Sequence, residues 1–164
     1  GGSDFKESQF NRVTQSKLSI GSTIKPLYYA AAIESRQYTM ASVFLDSPFV
    51  WDTPGGSQAD WRPRNYDEKF NGPLTLYSAL SLSINVVSAK LMKEIGPSTA
   101  VEFLRRIGVE SEMPAVPALS VGVAAISPIE LARAYCTFAH GGQKITPIYI
   151  RKITDNPGNI IIRP

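Results

Sequence analysis

The sequence predicts a mixed α/β domain, and three observations support this. Hydrophobic residues make up 43% and charged residues 19% of the 164 positions, which is typical of a globular protein with a real core. Apolar residues recur at helical spacing through the middle of the chain, between capping residues. Near its end, a β-rich alternating segment over 145–153, a turn over 155–158 and a second β segment over 159–162 predict a hairpin.

The predicted helices follow one another along the chain. The first begins at Gly21-Ser22 and runs to about residue 36, with Pro26 near its start, where proline is tolerated. The others cover about 75–82, 85–96, 98–107 and 127–139, with Thr75, Asn85 and Ser127 as candidate caps. The long segment 47–73 is irregular, and its aromatic side chains are predicted to pack the loop: Trp51, Trp61 and Tyr66.

Composition and single residues exclude several classes of function. The net charge is +3 with scattered Lys and Arg, so no basic stripe suggests nucleic-acid binding. The single cysteine, Cys136, is predicted to lie in the core and cannot form an internal disulfide. His140 is the single histidine, which excludes a Ser-His-Asp triad. No metal or acid/base pair is recognisable among the loop carboxylates Asp46, Asp52, Asp60 and Glu68.

Ser22-Thr23-Ile24-Lys25 places a hydroxyl and an amine three residues apart, on one face of a helix. A lysine whose pKa is lowered by burial can take the proton of a serine and so activate it as a nucleophile. The backbone N–H of Ser22 could also face an oxyanion. Ser3 and Lys6 have the same spacing, but they fall in a predicted loop. The alternative is a serine at a helix start beside a solvated lysine.

Ser83-Ile84-Asn85 is a second candidate motif, between two predicted helices. A short loop there could direct both polar side chains into a cleft. Serine can relay a proton, and asparagine can both donate and accept hydrogen bonds. The alternative is that Asn85 simply caps the helix that follows.

These segments resemble the transpeptidase domain of the class A, or bifunctional, penicillin-binding proteins. The pairing of Ser-x-x-Lys with a Ser-x-Asn-type motif is a known signature of those proteins and of β-lactamases. The resemblance follows the chain in order over the segments 2–5, 10–15, 21–26, 61–66, 72–76, 127–132 and 138–142. The Phe10-Asn11-Arg12 stretch favours class A over the monofunctional class B relatives.

The resemblance implies a fold and a set of roles. The fold is the α/β fold shared with β-lactamases, an antiparallel sheet flanked by helices, with Ser22 at the start of the central helix. Ser22 would attack a D-Ala-D-Ala stem peptide to form an acyl-enzyme, and Lys25 would accept its proton. Ser83 would pass a proton to the leaving D-alanine, and Asn85 would bind the substrate amide and hold Lys25. β-Lactams would acylate Ser22 in the same way, and no metal or cofactor is implied.

Two positions depart from the family pattern. Ile20 stands where the family usually has proline, and no Lys-Thr-Gly box occurs in the sequence. We therefore expect residues 1–164 to form a single, truncated transpeptidase domain with an incomplete sheet. The resemblance implies a longer, membrane-anchored parent with a glycosyltransferase domain, on the periplasmic face of the bacterial inner membrane. Signals for export or anchoring are expected outside this chain.

Two other functions stay open at this point. A β-lactamase-type hydrolase would share the fold, but it needs a base that activates water, and no loop carboxylate stands out for that task. A non-catalytic scaffold would keep the helical half of the site without chemistry. Whether the chain is active by itself is left open by the missing Lys-Thr-Gly box.

Overall fold

The computed structural model describes residues 4–52 and 60–162 of the chain. Its α-helices are α1 (Arg12–Gln15), α2 (Lys25–Glu34), α3 (Leu76–Ser81), α4 (Asn85–Ile95), α5 (Pro97–Arg106) and α6 (Pro128–Ala139). Two 3₁₀ helices, Gly21–Ile24 and Pro117–Val121, lie before α2 and before α6. The first of them shows that the predicted helix from Gly21 begins as a tighter turn and becomes α-helical at Lys25.

The strands form short antiparallel pairs. β1 (Leu18–Ser19) pairs with β4 (Ala125–Ile126), and β2 (Val43–Asp46) pairs with β3 (Gly72–Thr75). β5 (Ile153–Thr154) pairs with β6 (Ile160–Ile162) across the predicted turn. Antiparallel strands beside helices agree with the predicted fold class, although within 4–52 and 60–162 the strands form separate two-stranded pairs.

The core surrounds α2, which packs against α4 and α5. Leu27 and Tyr28 of α2 are fully buried and join Leu91 of α4 and Leu104 of α5 in one hydrophobic cluster. Burial of each such side chain stabilises the fold by about 1.5–3 kcal/mol. The buried Tyr28 hydroxyl donates to backbone carbonyls of α4 and of the second 3₁₀ helix, so its polar end is satisfied. The helix that begins at the Ser-x-x-Lys motif is therefore the central helix.

The predicted cap at the start of α6 is confirmed, and it also connects α6 to another part of the chain. Ser127 and Glu130 form a capping box. The Glu130 carboxylate also accepts hydrogen bonds from the backbone N–H groups of Glu110 and Ser111, at 2.8 and 2.6 Å. Burial opposes ionisation of Glu130, but the hydrogen bonds outweigh it and lower its pKa to about 2. The carboxylate thereby ties α6 to the loop after α5.

Several local predictions are wrong. Within the described residues, 145–152 has no strand partner, and β5 begins at Ile153; an alternating pattern forms a strand only where a neighbour accepts its hydrogen bonds. Cys136 is exposed, because the buried face of α6 carries Glu130, Ala134 and Thr137 instead. Tyr66 is fully exposed and does not pack its loop, whereas Trp51 is buried against Trp61.

Across the described ranges, no helix is both long and apolar enough to cross a membrane.

Candidate active site

Ser22 and Lys25 lie on consecutive turns at the start of the central helix, one exposed and the other buried. Ser22 belongs to the 3₁₀ helix Gly21–Ile24, and its side chain is open to solvent. Lys25 begins α2 and is 1% exposed. The following proline occupies the first turn of α2, where its missing N–H leaves no broken hydrogen bond. The serine is therefore accessible from solvent, whereas the amine is held inside.

Hydrogen bonds connect the turn that carries Ser22 to a loop that is distant along the sequence. The Gly122 carbonyl accepts hydrogen bonds from the Gly21 N–H at 3.2 Å and from the Ser19 hydroxyl at 2.7 Å. Gly122 has a φ of +85°, and a Cβ there would lie 1.9 Å from the Gly21 oxygen. Glycine is required at this contact on both counts. The Tyr135 hydroxyl of α6 adds a 2.7 Å hydrogen bond to the Thr23 carbonyl.

The Lys25 ammonium is the centre of a hydrogen-bonded cluster. It donates to the Ser83 carbonyl at 2.7 Å, to the Ser83 hydroxyl at 3.1 Å and to the Asn85 side-chain oxygen at 2.7 Å. Burial lowers the pKa of Lys25 from 10.5 to about 8. A substantial fraction of the amine is therefore neutral near physiological pH, as a general base requires.

The Ser22 hydroxyl makes no hydrogen bond to Lys25 or to any other residue of the described ranges. Its backbone N–H also donates to no described acceptor. Hydrogen bonds between a nucleophile and its base often tighten when substrate binds, so this geometry is compatible with catalysis. A free N–H at the start of a helix is available to a developing oxyanion.

Ser83 adopts a left-handed backbone conformation, with a φ of 56°. This region is unfavourable for residues other than glycine and is often found at functional sites. The turn is held by hydrogen bonds from Ser83 N–H to the Leu80 carbonyl and from Ile84 N–H to the Ala79 carbonyl. In this conformation, both the carbonyl and the hydroxyl of Ser83 reach Lys25.

Asn85 does not cap α4, so that alternative interpretation is wrong. Ile84 is the residue that precedes the helix, and it makes no side-chain cap. The side-chain oxygen of Asn65 instead accepts the N–H groups of Asn85 and Val86, at 3.0 and 3.1 Å. The Asn85 amide is thus free to accept from Lys25 and to donate to the Arg64 carbonyl at 2.9 Å.

A cavity of about 330 Å³ opens beside the Ser83 turn, and its lining combines polar residues such as Asn65 and Asn71 with the apolar Leu82 and Ile84. A larger cavity of about 540 Å³ lies between α2, α5 and α6, and it contains none of the four predicted site residues. We take the smaller cavity as part of the candidate site because it adjoins Ser83. Over 4–52 and 60–162, no group of His, Cys, Asp or Glu side chains is arranged to hold a metal ion.

Comparison with known proteins shows the family to which the chain belongs. The model of the penicillin binding protein transpeptidase domain matches residues 2–163, so the chain belongs to that family. The chain is 41% identical over 159 residues to penicillin-binding protein 1A of Haemophilus influenzae and 38% identical over 163 residues to that of Escherichia coli. These alignments cover 96% and 98% of this chain but 18% and 19% of the relatives, so the chain spans about a fifth of their length.

Solved structures confirm the predicted fold class and the class A resemblance. The crystal structure of Haemophilus influenzae penicillin-binding protein 1A matches with a TM-score of 0.89 and 39% identity, over 98% of this chain and 24% of that one. Penicillin-binding protein A of Mycobacterium tuberculosis, solved as an imipenem acyl-enzyme complex, matches with a TM-score of 0.79 and 21% identity, over 94% of this chain and 40% of that one. The second match shows a shared fold.

The structure brings three of the four predicted site residues into direct contact, namely Lys25, Ser83 and Asn85. Ser22 lies three residues before Lys25 along the chain and makes no hydrogen bond to it. Sequence reasoning missed Asn65 and Gly122, which hold the site from outside its motifs. Asn65 stands in the segment 61–66, so its membership of a family-like segment was the available signal. Of the second Ser-x-x-Lys match, Ser3 lies outside the described residues.

Proposed function

We propose that this chain supplies the nucleophile and the proton-transfer groups of a serine D,D-transpeptidase that cross-links peptidoglycan stem peptides. One observation supports this above the others: a buried Lys25 with a lowered pKa, hydrogen-bonded to both Ser83 and Asn85 and one turn from an exposed Ser22. A solvated lysine beside a capping serine would have neither the burial nor these partners. The arrangement suits acyl transfer by an activated hydroxyl.

In the first half-reaction, the Ser22 Oγ attacks the carbonyl carbon of the bond between the two D-alanines. The Ser22 proton passes to the neutral Lys25 amine as the C–O bond forms. Collapse of the tetrahedral intermediate breaks the C–N bond, and a proton from Lys25, relayed by the Ser83 hydroxyl, goes to the leaving D-alanine amine. The product is an ester between the peptide and Ser22, and Asn85 orients the peptide through its side-chain amide.

In the second half-reaction, an amine of a neighbouring stem peptide attacks the ester carbonyl. The new C–N bond forms the cross-link, the ester C–O bond breaks, and the amine proton returns to Ser22 through the same groups. We propose that the cavity beside Ser83 receives part of a stem peptide, because its lining combines apolar surface with polar groups that can bind a peptide backbone.

β-Lactams should acylate Ser22 by the first half-reaction, with the strained ring amide in place of the peptide bond. The shared fold with a protein solved as an imipenem acyl-enzyme supports this proposal. We further propose that residues 1–164 act within a single transpeptidase domain of a larger membrane-anchored protein with a glycosyltransferase domain. That protein would work on the periplasmic face of the inner membrane.

Labelling with a fluorescent penicillin tests the proposal, using the full-length protein that contains this chain. Wild type should form a covalent adduct, Ser22→Ala should not, and Ser3→Ala should label like wild type because it alters the other Ser-x-x-Lys match. A folded wild type that stays unlabelled would contradict the proposal and favour a scaffold. An adduct that is released within seconds would favour a β-lactamase-type hydrolase instead.

A further inference from the structure

We propose that Asn65 is a positioning residue of this site, which acts through Asn85 on Lys25. Asn65 is 5% exposed and lies about 20 residues before the Ser83–Asn85 turn along the chain. Its hydrogen bonds in the described residues go neither to Ser22 nor to Lys25. The consequence for acylation depends on the proposed function, whereas the positioning of Lys25 can be measured independently.

The side-chain amide of Asn65 has two different sets of partners. Its oxygen accepts the first N–H groups of α4, those of Asn85 and Val86. Its nitrogen donates to both carboxylate oxygens of Asp46, at 2.9 and 3.0 Å, and to the Lys69 carbonyl at 2.8 Å. A flipped amide would set its nitrogen against N–H groups and its oxygen against a carboxylate. The orientation is therefore fixed by chemistry.

Asp46 provides the fixed point of this arrangement. It ends β2, is 1% exposed and accepts two further hydrogen bonds of 2.9 Å from the backbone and side chain of Asn71. A buried carboxylate with all its partners in place is costly to move, since any displacement leaves charge unsatisfied. Through Asp46 and Asn65, the β2–β3 pair sets the position at which α4 begins.

The effect on the site follows from what Asn65 does for α4. The first N–H groups of a helix need acceptors, and Ile84, the residue that precedes α4, has no side chain that could provide one. Because Asn65 already provides it, the Asn85 oxygen is available to Lys25. Without Asn65, the Asn85 amide would be drawn toward the exposed helix end, and Lys25 would lose one of its acceptors.

A double-mutant cycle in the full-length protein tests this, with the acylation rate by fluorescent penicillin as the measurement. We expect Asn65→Leu to slow acylation roughly 10- to 100-fold, the range expected when a catalytic group is misplaced by about 1 Å. Asn65→Leu should add less than about twofold to the defect of Asn85→Ala, because both changes deprive Lys25 of the same acceptor, the Asn85 side-chain oxygen. Lys69→Ala is the matched control: it changes an exposed side chain but keeps the backbone carbonyl that accepts from Asn65, and it should change the rate by less than about twofold. If the double variant lost the product of the two single defects, the proposal would be overturned. An acylation rate of Asn65→Leu equal to that of wild type would overturn it as well.

Asn65→Asp gives a second readout that a general loss of stability would not produce. The aspartate side chain still offers an acceptor to the N–H groups of α4, but it has no N–H to donate to the Asp46 carboxylate. The other charged group near Asp46 is Lys90 of α4, which interacts with it electrostatically. Two such carboxylates share a proton at acidic pH. The acylation rate relative to wild type should therefore be about tenfold higher at pH 5.5 than at pH 8. A ratio independent of pH would contradict the proposal.

The pKa of Lys25, followed by NMR of its side chain, separates this proposal from the proposed function. In Asn65→Leu the pKa of Lys25 should fall below the wild-type value, because the buried ammonium loses an acceptor that favours the charged form. In the control Lys69→Ala, Lys25 should titrate as in wild type. This measurement needs no acylation, so it tests the positioning role even if Ser22 proves unreactive. A Lys25 titration unchanged by Asn65→Leu would overturn the proposal.

Discussion

Raising the pH from 6 to 9 should increase the rate at which a β-lactam acylates Ser22 and then leave it constant. The proposed mechanism requires a neutral Lys25 amine to accept the Ser22 proton. Burial lowers the pKa of Lys25 to about 8, so the amine loses its proton within this pH range. The sign is fixed: protonated lysine is inactive as a base, so the rate falls on the acid side.

The magnitude follows from the pKa of about 8 and the ordinary value of 10.5. At pH 7, about one Lys25 in ten is neutral, against roughly one in 3,000 for an unperturbed lysine, a gain of about 300-fold in active base. Between pH 6 and pH 8 the neutral fraction rises from about 1% to about half, so the rate should rise roughly 50-fold. Above pH 9 the curve should be flat.

The assay is the second-order rate of fluorescent penicillin labelling in the full-length protein, measured by stopping the reaction at several times for each pH. Lys25→Met should label much more slowly than wild type, and its labelling rate should no longer rise with pH. Lys93→Met, at an exposed position on α4, should keep both the wild-type rate and its rise with pH. A wild-type rate that is constant between pH 6 and 8, or a limb that survives in Lys25→Met, would refute the assignment of Lys25 as the base.

Three further changes test the supports of the site. Gly122→Ala should destabilise the fold by about 1–3 kcal/mol in urea unfolding, because its Cβ would meet the backbone of Gly21. Gly141 also has a left-handed backbone but faces open space, so Gly141→Ala should cost less. Equal losses of stability in the two variants would count against the contact. Ser83→Gly should raise stability by up to about 1 kcal/mol, because glycine adopts the left-handed backbone of this position without strain. Ser83→Ala keeps the strain, yet both variants should slow labelling equally because both lose the hydroxyl. Equal stability of the two variants would argue against strain. Glu130→Gln should lower stability at pH 7 by on the order of 2–3 kcal/mol, through lost charged hydrogen bonds. Since the folded pKa of Glu130 lies near 2, below its ordinary 4.5, wild-type stability should fall as pH drops from 4.5 toward 2, and a Gln variant that keeps the same acid limb would contradict this.

Features that depend on neighbours along the chain were predictable. The cap of α3 by Thr75 and the capping box of α6 follow from residues three positions apart, and both occur in the structure. The central helix behind the Ser-x-x-Lys motif was predictable for the same reason. Helix signals are local, so a single sequence contains them.

Features that depend on distant partners were not. The segment 145–152 has the alternation of a strand, but pairing needs a neighbour that the pattern does not specify. The burial of Lys25 was a condition of the catalytic hypothesis and could not be derived from its spacing to Ser22. No pattern in the sequence pairs Asp46 with another group, whereas in the structure its partner is the amide of Asn65, 19 residues away.

The sequence by itself determined which of the longer helices form, where most of them begin and which residues could act as nucleophile and base. Tertiary structure decided the surroundings of those residues: Lys25 is enclosed by a turn 58 residues away, and the turn that carries Ser22 is held by a hydrogen bond that spans 103 residues. The physical reason is that helix propensity and capping act over one turn of chain. Desolvation and long-range hydrogen bonds depend instead on which segments the fold brings together.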